Sequence, residues 1–221
     1  QRAKINEKKL IGYKPENITR NIFNIKIRRD LKKLYNLFEK SKKPILILGH
    51  GVKQSDKVRE IKKIVSILKI PVIFTRFTND LIPHNKKFIY GISGIKATKF
   101  SKIIMNNADL AISFGCRFSP QFVGHDFQAL KNAKVISVDI DKDELNKKGQ
   151  KIDFSLNYDL KDFIPFFLQY FSRKKLKKFK EWNNNCENFK KKNNLKKKKL
   201  KRIKKNKKKN KNYFMDRLGQ K

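Results

Sequence analysis

Four short apolar runs restrict the folds open to this chain more than any other feature. They are PILILG at Pro44–Gly49, IPVIFT at Ile70–Thr75, ADLAISFG at Ala108–Gly115 and AKVISVDI at Ala133–Ile140. None alternates apolar with polar residues, so none can carry one wet face; each reads as a strand covered on both sides. Helical spacing fills the gaps between them. Ile27, Leu31, Leu34 and Leu37/Phe38 make one apolar stripe, and Val58, Ile61, Val65 and Leu68 make another, with Ser55 and Asp56 placed to cap it. Further helices are expected near Thr98–Asn107 and Lys142–Lys148, and DFSLNYD supplies a fifth strand. LKDFIPFFLQYF closes the pattern as an amphipathic helix, with Pro165 in its first turns. The stretch RFTNDLIPHNKKFIYGISG reads as a loop.

Buried strands separated by helices predict an α/β fold, a Rossmann-like doubly wound parallel sheet of five or six strands with helices on both faces. The expected domain runs from 26 to 171. Residues 1–25 read as a leader or interdomain linker, 172–211 as a Lys/Asn-rich linker, disordered or helical, and 212–221 as the start of a truncated next domain. Trp182, Cys186 and Phe189 are apolar exceptions in that linker, placed to lie back on the domain. The first residue is Gln rather than Met, and the expectation is a fragment.

Charge raises a separate question. The chain has 57 Lys+Arg against 19 Asp+Glu, net +38, and Arg173–Lys211 holds 21 Lys/Arg and two Glu, half of that excess. Such a tail has weak, non-specific affinity for polyanions such as nucleic acid. Lys, Asn, Ile and Phe can all be encoded by A/T-only codons, so compositional drift is the first explanation of the tail, ahead of selection for polyanion binding. Only Phe179, Trp182 and Phe189 supply aromatics near it, short of the interleaving a single-strand binder uses. Cys116 and Cys186 form no metal or redox spacing, and two cysteines make no disulfide framework. The start, QRAKINEKK, has no apolar core of a signal peptide, and no apolar run reaches bilayer length. The expectation is a soluble cytoplasmic protein with no membrane partner.

The richest candidate for chemistry is DIDKDELNKKGQ, starting at Asp139. It opens like a calcium loop, but Glu144 stands where Gly is needed and Gln150 where the bidentate Glu belongs. Asp139 and Asp141 flank the end of a predicted strand, where an acid can accept hydrogen bonds from ribose hydroxyls or an adenine amine. The alternative is structural: helix capping by Asp141, with Asp143 and Glu144 at the positive dipole end. In LGHGVKQSD, Gly49 and Gly51 permit close backbone approach, either to a phosphate or within a tight strand-to-helix turn. Arg117, at a strand exit, suits a phosphate or a surface ion pair. Cys116 reads as a small buried filler, and His50, His84 and His125 show no metal spacing. No catalytic constellation is visible, and none of these residues is read as catalytic or metal-binding.

Taken together, KPILILGHGV, IPVIFTR, FIYGISGIKA, NNADLAISFGCRF and AKVISVDIDKDEL resemble, in order and spacing, the central domain of thiamine-diphosphate-dependent enzymes of the acetolactate synthase type. GCRF followed by VDIDKDEL is most similar to members acting in sugar or surface-polysaccharide pathways. QRAKINEKKLIGYKP resembles the linker leaving the family's pyrimidine-binding domain, and NYFMDRL the first helix of its diphosphate-binding domain. The resemblance implies a parent transferase or lyase, a carboligase or decarboxylase of a 2-oxo acid, using thiamine diphosphate and Mg²⁺. It also implies that the activating Glu and the GDG…N motif lie in the missing partner domains, and this chain contains no GDG. The expected partners are those domains or further copies of the chain, and the chain alone is expected to show no turnover. In the FAD-binding branch, the resemblance carries the lining role to Gly49, Gly51, Gly91, Gly94, Gly115, Arg117, Asp139, Asp141 and Asp159. IKATKF and FSPQFVG depart there from the more charged versions of flavin-binding relatives. A subunit-assembly module is a further reading.

Overall fold

The structure is a computed structural model describing residues 20–95, 97–124, 129–149 and 151–192. His125, the leader to residue 19, the tail beyond 192 and the NYFMDRL segment lie outside the described residues.

Six strands form one all-parallel sheet: β1 (Pro44–Leu48), β2 (Val72–Phe74), β3 (Ile89–Ile92), β4 (Leu110–Phe114), β5 (Lys134–Asp139) and β6 (Phe154–Asn157), in the order β3-β2-β1-β4-β5-β6. This is the predicted doubly wound, Rossmann-like α/β fold. Every residue of β1, β2 and β4 is buried, as uninterrupted apolar runs require. β3 corrects the reading of its stretch as a loop. Val72 pairs with Ile89 and Phe74 with Ile92, so β3 carries an extra residue, and Gly91 in the bulge has φ +78°. A glycine-bearing bulge in a four-residue edge strand hides the strand pattern.

Helix α1 (Arg20–Lys40) begins earlier than the apolar period indicates, inside the expected leader, and its stripe Ile27, Leu31, Leu34 and Phe38 is buried. After the short α2 (Gly51–Gln54) comes α3 (Val58–Leu68). Ser55 and Asp56 do not cap α3 as expected: Lys57 is its N-cap residue, and the Ser55 hydroxyl donates to the Val52 carbonyl. α4 (Lys99–Asn107), α5 (Pro120–Val123) and α6 (Lys142–Asn146) follow. In α7 (Leu160–Ser172), Pro165 lies inside the helix on its exposed side and leaves the Lys161 carbonyl without its usual amide donor. α1 and α3 pack against α7, and Phe114 of β4 meets Phe163 and Phe167 of α7 edge-on at 5.8 and 5.3 Å.

The packed unit does not stop at residue 171. A further helix, α8 (180–192), returns across the entry ends of β1, β2 and β3. The Trp182 indole donates to the Pro44 carbonyl at 3.0 Å, Asn183 to Lys69 at 2.8 Å and Lys190 to Ile89 at 3.1 Å. Trp182 and Cys186 are buried, and Phe189 packs on the core. On the same edge, the Asp109 carboxylate accepts from the Lys42 and Lys43 amides, tying the entries of β1 and β4.

Candidate functional site

At the opposite, carboxyl edge, strand order reverses between β1 and β4. A parallel sheet opens a crevice at such a point because the loops after the two strands depart in different directions. Here it is a cleft of about 920 Å³. Each strand contributes residues at or just past its exit: among them His50 and Gly51 after β1, Thr75 to Phe77 after β2, Ser93 and Ile95 after β3, Gly115 and Arg117 after β4, Asp139 to Asp141 at the end of β5, and Asp159 with Leu160 after β6.

The β1 and β4 exits press against each other, and this accounts for the glycines. A Cβ on Gly49 would lie 2.0 Å from the Gly115 carbonyl oxygen, and one on Gly115 (φ +57°) would lie 2.7 Å from the Gly51 Cα. The Gly49 amide donates to Phe114 and the Gly51 amide to Gly115, stitching the loops together. Gly94 is held against the Gln121 carbonyl, where a Cβ would come within 2.3 Å. Gly51 and Gly115 line the cleft; Gly49, Gly91 and Gly94 lie behind its walls. The tight-turn alternative thus accounts for Gly49 and Gly51 without a ligand, through crowding against Gly115.

The acids are arranged by capping. Asp141 is the N-cap of α6 and accepts from the Asp143 and Glu144 amides at 2.9 and 3.4 Å. Asp159 caps α7 through the Lys161 amide at 2.8 Å. Asp139, half-buried, accepts from the Asp141 amide at 3.1 Å. Burial pushes its carboxyl above the usual range, against that hydrogen bond, with the nearby Asp141 and Glu144 charges adding to the rise. All three line the cleft, so its β5–β6 side offers acceptors to a hydroxyl- or amine-bearing ligand. Arg117 lies at the same rim, 74% exposed, with Nε 3.4 Å from Glu144, which also pairs with Lys147. Among the described residues, no group of three or more His, Cys, Asp or Glu side chains is placed to hold a metal ion. Cys116 is buried, and loss of solvent pushes its thiol up to about 12, so it carries no thiolate at neutral pH.

Across from the acids stands a wall of different chemistry, which the residue-by-residue reading missed. Arg76 lies 6.0 Å from the Phe77 ring, and His50 meets that ring edge-on at 5.8 Å. Phe77, Ile95 and Ile140 are 66%, 75% and 67% exposed, three of the five large apolar side chains left open among the described residues, and all line this cleft. Their signal was positional: each follows the last residues of a strand.

Comparison with known proteins agrees with the fold. The family described as "Thiamine pyrophosphate enzyme, central domain" matches residues 31–166, more than half of the chain. A probable acetolactate synthase large subunit from Methanococcus aeolicus is 36% identical over 139 residues, 63% of this chain and 22% of the relative. One from Methanocaldococcus jannaschii is 27% identical over 173 residues, 78% of this chain and 28% of the relative. The acetolactate synthase large subunit of Lactococcus lactis is 31% identical over 139 residues, covering 63% and 24%. The chain spans about a quarter of the length of these curated relatives. No helix among the described residues is long and apolar enough to cross a membrane.

Proposed function

This chain belongs to the central-domain family of thiamine pyrophosphate enzymes, and on that premise we propose that it is the middle unit of an acetolactate synthase-like carboligase or decarboxylase acting on a 2-oxo acid. Thiamine diphosphate with Mg²⁺ supplies the carbanion chemistry in such an enzyme. The residues that would ionise and anchor it belong, in this reading, to partner domains beyond this chain's own residues. What carries the reading is the family match over residues 31–166, together with relatives of whose length the aligned stretch is only about a quarter. Pyruvate decarboxylation assayed with added thiamine diphosphate and Mg²⁺ tests it. The purified chain is expected to show no turnover, and turnover by the chain alone overturns the reading.

For the cleft itself, the residues fit an FAD-class dinucleotide. Asp139 and Asp141 offer acceptors to ribose hydroxyls or the adenine amine, Arg76 and Arg117 offer positive charge to a diphosphate, and Phe77 offers a ring face. A volume of about 920 Å³ is ample for such a ligand. Bound FAD would bring a redox-capable ring, which carboligation does not itself require. Flavin absorbance that survives gel filtration, or a melting shift on adding FAD, supports this; a flat response at high FAD makes the cleft vestigial.

Two further partner readings make separate predictions. The exposed apolar rim suits contact with neighbouring domains or a second copy of the chain. The +38 charge suits weak, sequence-blind polyanion binding with a steep salt dependence. Removing residues 193–221 without loss of RNA affinity would refute a role for that tail.

A further inference from the structure

The sealed edge and the cleft share one mobile-sized part, the edge strand β3. It pairs with β2 alone, and its bulge interrupts even that ladder. Such a strand is the member of a sheet most easily displaced. At its entry end, α8 holds it twice: Lys190 donates to the Ile89 carbonyl at 3.1 Å, and the buried Tyr90 hydroxyl donates to Glu187 Oε1 at 2.8 Å. The Lys190 ammonium also lies 5.3 Å from the Tyr90 ring. α8 is in turn anchored to β1 and to the start of β2 through Trp182 and Asn183. At its exit end, β3 becomes a wall of the cleft. Ile92, Ser93 and Ile95 line it, with the Ser93 amide donating to Phe74 and the Ile95 amide to Gln121. Only three residue steps, about 10 Å, separate its two ends, Ile89 and Ile92.

We propose that α8 is a strap that sets the position of the cleft's β3 wall, so that loosening α8 at the sealed edge loosens Ser93 and Ile95 at the open one. The physical reason is the short, stiff path. A strand this brief cannot shift at Ile89 and Tyr90 while staying fixed at Ile92 unless the Gly91 bulge absorbs the whole displacement. A displacement of α8 therefore acts on the shape of the cleft, a coupling between two places carried by one short strand. The functional consequence rests on the cleft reading above; the mechanical claim does not.

Amide hydrogen exchange, followed by NMR on the full, unliganded chain, tests it. Tyr90→Phe and Glu187→Met each remove the Tyr90–Glu187 hydrogen bond while keeping side-chain volume close to the original, and Trp182→Phe removes the indole donor to Pro44. The Ser93 and Ile95 amides are compared with those of Gly115 and Tyr158, which bond to Val138 and Asp139 in the other half of the sheet. The expected result is exchange about tenfold faster at Ser93 and Ile95, the worth of one hydrogen bond, with Gly115 and Tyr158 unchanged. Equal acceleration at all four amides would reduce α8 to general stabilisation and overturn the proposal, as would no acceleration at Ser93 and Ile95. Because no ligand is added, a failure of FAD to bind counts against the cleft reading alone.

Discussion

The two edges of the sheet are finished in opposite ways. At the entry edge, α8 covers the start of three strands, and the Asp109 carboxylate fastens the start of a fourth. Backbone carbonyls there meet an indole, an amide and an ammonium. At the exit edge, loops separate around a cleft, apolar side chains stand open to water, and a carboxyl at Asp139 is kept where burial disfavours its charge. Both edges come from the same strands, so strand chemistry does not explain the contrast. It shows where the chain spends its residues on holding the fold and where it leaves an arrangement that folding alone would not select.

The largest effect is expected where the sealed edge is opened. Trp182→Ala removes a buried indole and its hydrogen bond, and should cost about 3–5 kcal/mol in urea unfolding. A cost under about 1 kcal/mol would mean that α8 is an accessory. Next come the glycines between the β1 and β4 exits. Gly49→Ala drives a methyl into the Gly115 carbonyl and should cost about 3 kcal/mol, the upper end of overpacking. Gly124→Ala, whose Cβ meets nothing within 4 Å, should cost less, about 1–2 kcal/mol, from its φ of +92° alone. Equal costs would remove backbone crowding as the reason for glycine at position 49.

Much of this was legible in the sequence, for reasons that differ by element. β1, β2, β4 and β5 announce themselves because strands buried on both faces admit almost no polar residue. β3 does not, because Gly91 breaks its run and its pairing partner lies on one side only. α8 sits among lysines, yet Phe179, Trp182, Cys186 and Phe189 recur at helical spacing, and that stripe is what docks. The acids of the cleft were visible as residue types. Their capping geometry was not, since it depends on where α6 and α7 begin. His50 and Arg76 sit in stretches already singled out, but nothing in the sequence joins them to Phe77; only the topology, by sending every strand exit to one edge, assembles them.

A smaller effect separates charge from shape at the open edge. Because the folded-state pKa of Asp139 is raised, the native state holds its proton above the pH at which the unfolded chain gives it up. Stability from this group is therefore complete below about pH 4 and declines as pH rises through the folded value. Asp139→Asn should raise the melting temperature at pH 7, with the gain shrinking as pH falls toward about 4. A loss of stability at pH 7 would place Asp139 with the structural acids, beside Asp109. The smallest effect concerns Cys116: in the native protein its alkylation at pH 8 should run more than about a hundredfold slower than after unfolding in urea, since the folded thiol ionises only near 12.

The contrast between the edges is tested most directly by titrating FAD into the isotopically labelled chain and following every backbone amide. The account predicts shifts at Gly51, Gly115, Arg117, Asp141 and Asp159, extending along β3 to the α8 residues Glu187 and Lys190 that hold it, with the Trp182 indole moving least. Resonances that stay still at all concentrations, or that move first around α8, would contradict it.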